Sequence, residues 1–105
     1  MEKEGRGYLR IINHYGPRHQ LKKLSEEVYE LIESIMDYEY QRDACENIGC
    51  DNAHIDKEYE HMCEEYADVW VLLEQIKVYY ELSDAKIVAN MVSKVKRQFD
   101  RMGIE

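Results

Sequence analysis

The chain contains few residues that break helices and no long apolar run. One proline and five glycines occur in 105 residues, and 45% of the residues are hydrophobic, which excludes proline-rich and glycine-rich disordered classes and predicts one folded domain, residues 1–105. No apolar segment approaches the roughly 20 residues that span a bilayer, so no membrane partner is expected. The first residues lack an apolar signal core, and the three cysteines form no CxxC pair. Both features favour a cytoplasmic protein with reduced thiols.

The charge of the chain is divided into three blocks. Residues 1–23 carry +4, residues 24–81 carry −14 and residues 84–102 carry +3. Because an acidic middle repels a phosphodiester backbone, the sequence argues against a nucleic-acid partner. The basic terminal segment is still compatible with a small polyphosphate ligand.

Apolar residues recur at helical spacing in most of the chain, and no strand alternation is present. A short leading helix is expected over residues 8–15, followed by helices over about 17–41, 55–82 and 84–102. Ser83 is the expected N-cap of the last helix, and Gly103 is expected to end it. Residues 42–55 lose the periodicity and contain Asn and Gly, so a loop insertion is expected there. The predicted fold is all-α, an antiparallel bundle of three to four helices.

Paired carboxylates are the most informative pattern. Glu27 and Glu30 are three residues apart, as are Glu65 and Asp68, so each pair shares one helical face. Carboxylates beside an apolar stripe are costly unless they are paired or bound to metal. Four converging oxygen ligands favour Mg²⁺, with Mn²⁺ as a second choice.

Three basic residues share one face of the last helix. Lys94, Arg97 and Arg101 stand at i, i+3 and i+7. Cations near a helix C-terminus can simply complement the helix dipole. Beside a metal site they also suit a clamp for phosphate oxygens.

The segment from Val69 to Leu73 is apolar at five consecutive positions. A helix that is apolar on nearly all sides requires neighbours on nearly all sides. A homo-oligomer is therefore expected, most simply a homodimer with helices contributed by both chains, and the sequence does not decide between a homodimer and a homotetramer.

Two other interpretations of the acidic residues stay open. They can form a solvated surface of a non-catalytic interaction or regulatory protein. The Glu58-x-x-His61 pattern is also half of a di-iron motif, which a symmetric dimer would complete.

Taken in order, the motifs resemble the MazG-like family of all-α nucleoside triphosphate pyrophosphohydrolases. Glu-Glu-x-x-Glu occurs at residues 26–30, Glu-x-x-Asp at residues 65–68, and Lys-x-x-Arg-x-x-x-Arg at residues 94–101. The lead-in is similar as well, with Tyr15-Gly16, Gln20 and Lys23-Leu24. The resemblance covers roughly residues 13–102, and the segment before Glu65 is longer than in compact members.

The resemblance implies Mg²⁺-dependent hydrolysis of a (d)NTP to a (d)NMP and pyrophosphate in a four-helix-type active-site bundle. It assigns metal binding to Glu27, Glu30, Glu65 and Asp68. Glu27, or its neighbour Glu26, would accept the proton of the attacking water. Substrate contacts would come from five residues, namely Gln20, Lys23, Lys94, Arg97 and Arg101.

Overall fold

The computed structural model describes residues 2–49 and 52–104, and all regular structure in this part of the chain is helical. The four helices are α1 (Glu2–Tyr15), α2 (Pro17–Ile48), α3 (Asn52–Tyr79) and α4 (Asp84–Met102). No strand occurs in the described ranges, so the all-α prediction is confirmed.

Local sequence explains where the helices begin and end. Pro17 starts α2, where its missing N–H costs no hydrogen bond. The Ser83 side chain accepts a hydrogen bond from the backbone N–H of Lys86 at 3.2 Å, so the expected N-cap is confirmed. Gly103 ends α4 in the left-handed region at φ 76°, as its position predicts.

The loop expected at about residues 42–55 is wrong for most of that segment. Helix α2 continues to Ile48, and α3 already begins at Asn52. Periodicity fails there because the helix ends carry mainly polar, exposed side chains, while helical hydrogen bonding continues without an apolar stripe. An Arg42–Glu46 ion pair at 3.8 Å supports the last turns of α2. The expected loop also includes residues 50 and 51, which lie outside the described ranges.

Helices α2 and α3 form an antiparallel pair. Three contacts fix their register, and in each the residue number rises on α2 as it falls on α3. They join Gln20 to Gln75, Glu30 to Glu65, and Tyr38 to Tyr59. Helix α1 packs mainly against α3.

The surface that α2 buries is polar rather than apolar. Of the apolar residues that repeat at helical spacing along α2, Leu21, Val28 and Ile35 are exposed, whereas Leu24 and Leu31 are half-buried. The buried polar side chains are Gln20, Glu27, Ser34, Glu65 and Gln75, while the buried apolar group is small, with Ile12, Val69 and Leu72. We call this polar contact between α2 and α3 the polar seam.

The single chain is extended for its length. Its radius of gyration is 18.0 Å, whereas a compact domain of this size has about 13 Å. Its accessible surface is 8580 Å², about 2400 Å² more than a compact monomer of this mass exposes. Despite these exposed apolar groups, the described residues contain no helix with the length and hydrophobicity needed to cross a membrane.

Helix α4 accounts for much of the exposed apolar surface. Within the described residues, none of its Cα atoms comes within 8 Å of another helix, and none of its side chains is buried. Its exposed stripe consists of Val88, Met91, Val92, Val95, Phe99 and Met102. The turn before α4 is held by Lys77, whose Nζ lies 2.9 Å from Asp84 and 3.0 Å from Glu74.

The cysteines do not share one state. Cys63 is a free, exposed thiol, as expected. Cys45, in the last turns of α2, is disulfide-bonded, so the expectation that it is reduced is wrong. Chain spacing carries no information on which thiols come close, which is why this bond was not expected. Cys50 lies outside the described residues.

Gly16 joins α1 to α2 at φ 95°, ψ 145°, a conformation that side chains with a Cβ rarely adopt. We expect Gly16→Ala to lower the free energy of unfolding by about 1–3 kcal/mol. Gly7→Ala, inside α1, is the matched control and should raise it by about 0.5–1 kcal/mol. An added Cβ has nothing within 4 Å at either position, so the difference isolates the backbone. Urea unfolding of both variants tests this, and equal effects would contradict the explanation.

Candidate metal centre and adjoining cleft

Three carboxylates from two helices meet in the polar seam. Glu27 and Glu30 come from successive turns of α2, and Glu65 comes from α3. Each offers one oxygen, and these three oxygens lie within 4.8 Å of one another. Within the described residues this is the one group of three or more acidic, histidine or cysteine side chains with such a geometry. Three of the four predicted ligands are therefore brought together.

The carboxylate cluster has an electrostatic cost. Glu27 is 6% exposed and Glu65 is 9% exposed. Burial raises the pKa of Glu65 above its ordinary value, and a hydrogen bond with Glu30 raises it further. The charges of Asp68, Glu30 and Glu27 act in the same direction. Negative charge is thus concentrated where solvent cannot fully screen it. A bound cation would reduce the repulsion between these carboxylates.

Asp68, the fourth predicted ligand, stands at the margin of the cluster. Its charge raises the pKa of Glu65, so it is close enough to interact electrostatically. Its side chain is exposed and lies outside the group of three converging oxygens. It lines a neighbouring cleft instead. A carboxylate in that position can contact both a cation and a ligand in the cleft.

Lys23 supplies the nearest positive charge. Its Nζ lies 3.2 Å from Glu27 Oε2, one turn along α2. The hydrogen bond to Glu27 raises the pKa of Lys23, and the charges of Glu26 and Glu30 add to it. One half-exposed ammonium partly offsets the charge of three carboxylates.

A cleft of about 590 Å³ adjoins the carboxylate cluster. Ligand pockets in proteins commonly fall between about 300 and 1,000 Å³. One end of the cleft is acidic, with Glu26, Glu27 and Asp68, and the predicted base Glu26 is exposed there. The remaining lining residues are Tyr15, His19, Gln20, Lys23, Val71, Leu72 and Gln75.

The end of the cleft away from the carboxylates is aromatic and amide-lined. The rings of Tyr15 and His19 stack at 5.2 Å with an interplanar angle of 16°. Behind them, Gln20 Nε2 donates a hydrogen bond to Gln75 Oε1 at 2.8 Å. The cleft therefore offers flat apolar surface and hydrogen-bonding groups within reach of a cation site.

The three basic residues predicted to clamp phosphate are not brought to this cleft. Lys94, Arg97 and Arg101 are exposed on α4, on the side opposite its apolar stripe. None of them lines the cleft of its own chain. Lys23 is the one predicted substrate-binding cation that does.

Of the two residues in the Glu58-x-x-His61 half-motif of a di-iron site, His61 lies near the carboxylate cluster and Glu58 does not belong to it. His61 Nε2 lies 3.9 Å from Glu65 Oε2. Glu58 is not part of the converging carboxylate group. The centre consists of three carboxylates with one imidazole at its edge. The three carboxylate oxygens suit a hard divalent cation.

Sequence reasoning missed three residues of the cleft, namely Tyr15 as a lining group, His19 and Gln75. A signal for Gln75 was present, because it follows Asp68 by seven residues and so shares its helical face. No such signal marked His19, whose role depends on its contact with Tyr15 and Gln20.

The chain was compared with protein-family models, with curated proteins and with solved structures, and none of the three comparisons finds a match.

We expect the cation-free protein to lose stability as pH rises. The folded state holds the proton of Glu65 more tightly than the unfolded chain does, so the free energy of unfolding falls as pH increases from the ordinary pKa of Glu65 through its raised value. Mg²⁺ at pH 7 should restore that stability. Glu65→Gln should remove both the pH dependence and the stabilisation by Mg²⁺, because the amide does not titrate and carries no charge for a cation to offset. Thermal melting in EDTA and in Mg²⁺, between pH 4 and pH 8, tests this.

The matched control is Glu33→Gln, an exposed position on α2 outside the cluster. It should keep the pH dependence of wild type and the stabilisation by Mg²⁺. Identical melting curves for Glu65→Gln and wild type would contradict the assignment.

Proposed function

We propose that the protein is a Mg²⁺-dependent nucleoside triphosphate pyrophosphohydrolase, which converts a (d)NTP to a (d)NMP and pyrophosphate. The observation that carries the proposal is the convergence of Glu27, Glu30 and Glu65 beside an aromatic and amide-lined cleft. A carboxylate cluster alone is common on acidic proteins. A cluster that is partly buried, repelling, and next to a cleft of ligand size is a more specific combination.

The resemblance to MazG-like enzymes, stated on motif order, gives the reaction type. The geometry supports this reaction type in one respect. Residues of α2 and α3 that are 35 or more positions apart in the chain meet across the polar seam, which the sequence alone leaves open. Chemistry at a triphosphate also needs little covalent participation from the protein, since positioning and charge stabilisation do most of the catalytic work.

The residues divide into three roles in this proposal. Glu27, Glu30 and Glu65 would hold the cation, with Asp68 completing the set from the cleft side. When bound, Mg²⁺ would offset phosphate charge and lower the pKa of a nearby water. Glu26, exposed in the cleft wall, would accept the proton from the attacking water.

Lys23 and Gln20 would contact the substrate from the first turns of α2. Lys23 holds Glu27 in place through its ion pair and can turn toward a phosphate oxygen when a cation takes over the charge of Glu27. Lys94, Arg97 and Arg101 would bind the pyrophosphate end only from another subunit, since none lines the cleft of its own chain.

The proposed enzyme is a homo-oligomer, a homodimer in its simplest form. The excess surface of about 2400 Å² per chain is in the range that obligate subunit interfaces bury. Two apolar surfaces are unpaired in the single chain, one on α4 and one on α2, where Leu21, Val28 and Ile35 are exposed. Covering them with a second copy would complete the four-helix-type arrangement around the cleft.

We expect Glu27→Gln and Asp68→Asn to abolish Mg²⁺-dependent pyrophosphate release, by at least about 100-fold in kcat, while helicity is unchanged. Each substitution removes one anionic oxygen at nearly constant volume. Pyrophosphate and monophosphate release from a panel of normal and modified nucleoside triphosphates, with Mg²⁺, Mn²⁺ or EDTA, is the measurement. Glu33→Gln is the control that should retain activity.

Full activity in the Glu27 and Asp68 variants would rule out the assigned site. An inactive wild-type protein whose stability ignores Mg²⁺ would favour the non-catalytic interaction protein. Bound iron in the purified protein would favour the di-iron alternative.

We expect a sedimentation mass of at least two chains at micromolar concentration. Val95 lies in the middle of the exposed stripe on α4, so Val95→Glu should shift the protein toward monomer. Ser93→Glu places the same charge on the other side of α4 and should leave the mass unchanged. A wild-type monomer, or equal effects of the two substitutions, would contradict the oligomer.

A further inference from the structure

Three polar side chains in the cleft wall form one chain of hydrogen bonds. His19 Nδ1 lies 2.8 Å from Gln20 Oε1, and Gln20 Nε2 lies 2.8 Å from Gln75 Oε1. Gln20 is 5% exposed and Gln75 is 2% exposed. Two amides are therefore held out of bulk water, in the wall that also carries Tyr15 and, further along, the carboxylates.

The hydrogen bonds in this chain all point the same way. An amide oxygen can only accept, so the proton between His19 and Gln20 belongs to His19 Nδ1. That contact orients the Gln20 amide and places its Nε2 toward Gln75. The Oε1 of Gln75 accepts the bond, which leaves its Nε2 as the last donor of the chain.

This last donor belongs to a side chain that lines the cleft. No fully enclosed polar side-chain atom in the described ranges lacks a hydrogen-bond partner. The hydrogen bond of Gln75 is made through Oε1, so its Nε2 is not fully enclosed, and the cleft is the cavity that Gln75 lines. A ligand that enters the cleft meets an N–H donor at this position and no acceptor oxygen from Gln75.

We propose that Gln75 reads the nucleotide base and selects a ring carbonyl over an exocyclic amine, with Gln20 and His19 fixing the orientation of its amide. This inference rests on the proposed function and names the substrate class, which is a nucleotide of uracil, thymine, guanine or hypoxanthine. Tyr15 supplies a flat ring against which the base can stack, and the acidic end of the same cleft takes the phosphates.

The polarity of the amides supports this role over a purely structural one. A tie between α2 and α3 is served equally well by either orientation of two amides, or by two apolar side chains, which avoid the cost of burying polar groups. Selection of a carbonyl needs the donor-outward orientation, which is the orientation that the structure shows for Gln75. An amine in the same place would put N–H against N–H and leave both donors unpaired, which is how a site rejects a ligand strongly.

The test compares two pairs of substrates of matched size, dUTP with dCTP and dITP with dATP. Within each pair, the base edge changes from a carbonyl to an amine. We expect kcat/KM for wild type to favour the carbonyl member by about tenfold or more, the value of one well-placed hydrogen bond. Calorimetry with dUMP and dCMP in Mg²⁺ compares their binding affinities and so tests the same preference without turnover.

Two substitutions separate base reading from stability. Gln75→Met keeps most of the volume and removes the donor, so the ratio within each pair should fall toward one. Gln75→Glu still accepts from Gln20 but presents an acceptor to the cleft, so the ratio should reverse toward the amine. Gln98→Glu, exposed on α4, is the matched control and should keep the wild-type ratio. A structural role alone would lower both members of a pair equally.

The possible failures are distinguishable. Turnover of both members at equal rates, or a carbonyl preference that survives Gln75→Met, overturns the role of Gln75 and leaves the pyrophosphohydrolase intact. A carbonyl preference in calorimetry without any turnover overturns the reaction but supports base reading. Absence of both turnover and nucleotide binding overturns both proposals.

Discussion

The arrangement of α2 against α3 depends on a contact that is polar where most helix pairs are apolar. Glu27, Glu65, Gln20 and Gln75 occupy positions that leucines would fill in an ordinary bundle. Each of these groups needs a compensating partner, because a buried polar atom without one costs about 1–3 kcal/mol. The amides satisfy one another, and Lys23 partly neutralises Glu27. The carboxylate of Glu65 has no comparable cation at hydrogen-bonding distance, so the seam is electrostatically incomplete at that point.

The same contact explains why apolar side chains face outward. Since part of the buried side of α2 is taken up by the seam, Leu21, Val28 and Ile35 are left exposed, while Leu24 and Leu31 are half-buried. Helix α4 repeats the situation with a whole apolar stripe exposed. In part of the molecule, polar groups therefore lie inside and apolar groups lie outside, and the large radius of gyration and accessible area agree with this.

Sequence reasoning predicted the helical class and the ends marked by Pro17, Ser83 and Gly103, because those residues have strong local preferences. It also placed Glu27 and Glu30 on one face of α2, because spacing by three residues fixes a common face, whereas their contact with Glu65 of α3 is tertiary and is left open by spacing alone. It failed where the outcome depends on tertiary contacts. The helical spacing of Leu21, Val28 and Ile35 favours their burial, yet these side chains are exposed, and the buried side chains of α2 are the polar Gln20, Glu27 and Ser34.

Two further differences have the same origin. Residues 42–48 are helical although they lack periodicity, since a helix can extend beyond the core it packs against. The hydrogen bond between Gln20 and Gln75 joins residues 55 positions apart, and no local pattern encodes such a pairing.

The polar seam also limits which substitutions this protein can tolerate during evolution. Replacing Gln20 and Gln75 together, or Glu65, by apolar residues would remove a desolvation cost, so selection for stability alone would drive the seam toward leucine and away from the chemistry proposed for it. Stability can then be gained elsewhere, on the outward apolar surfaces of α2 and α4, where substitutions do not touch the cleft. The centre of the helix pair is therefore the part where stabilising substitutions are most constrained, and sequence variation can accumulate on its outer surfaces.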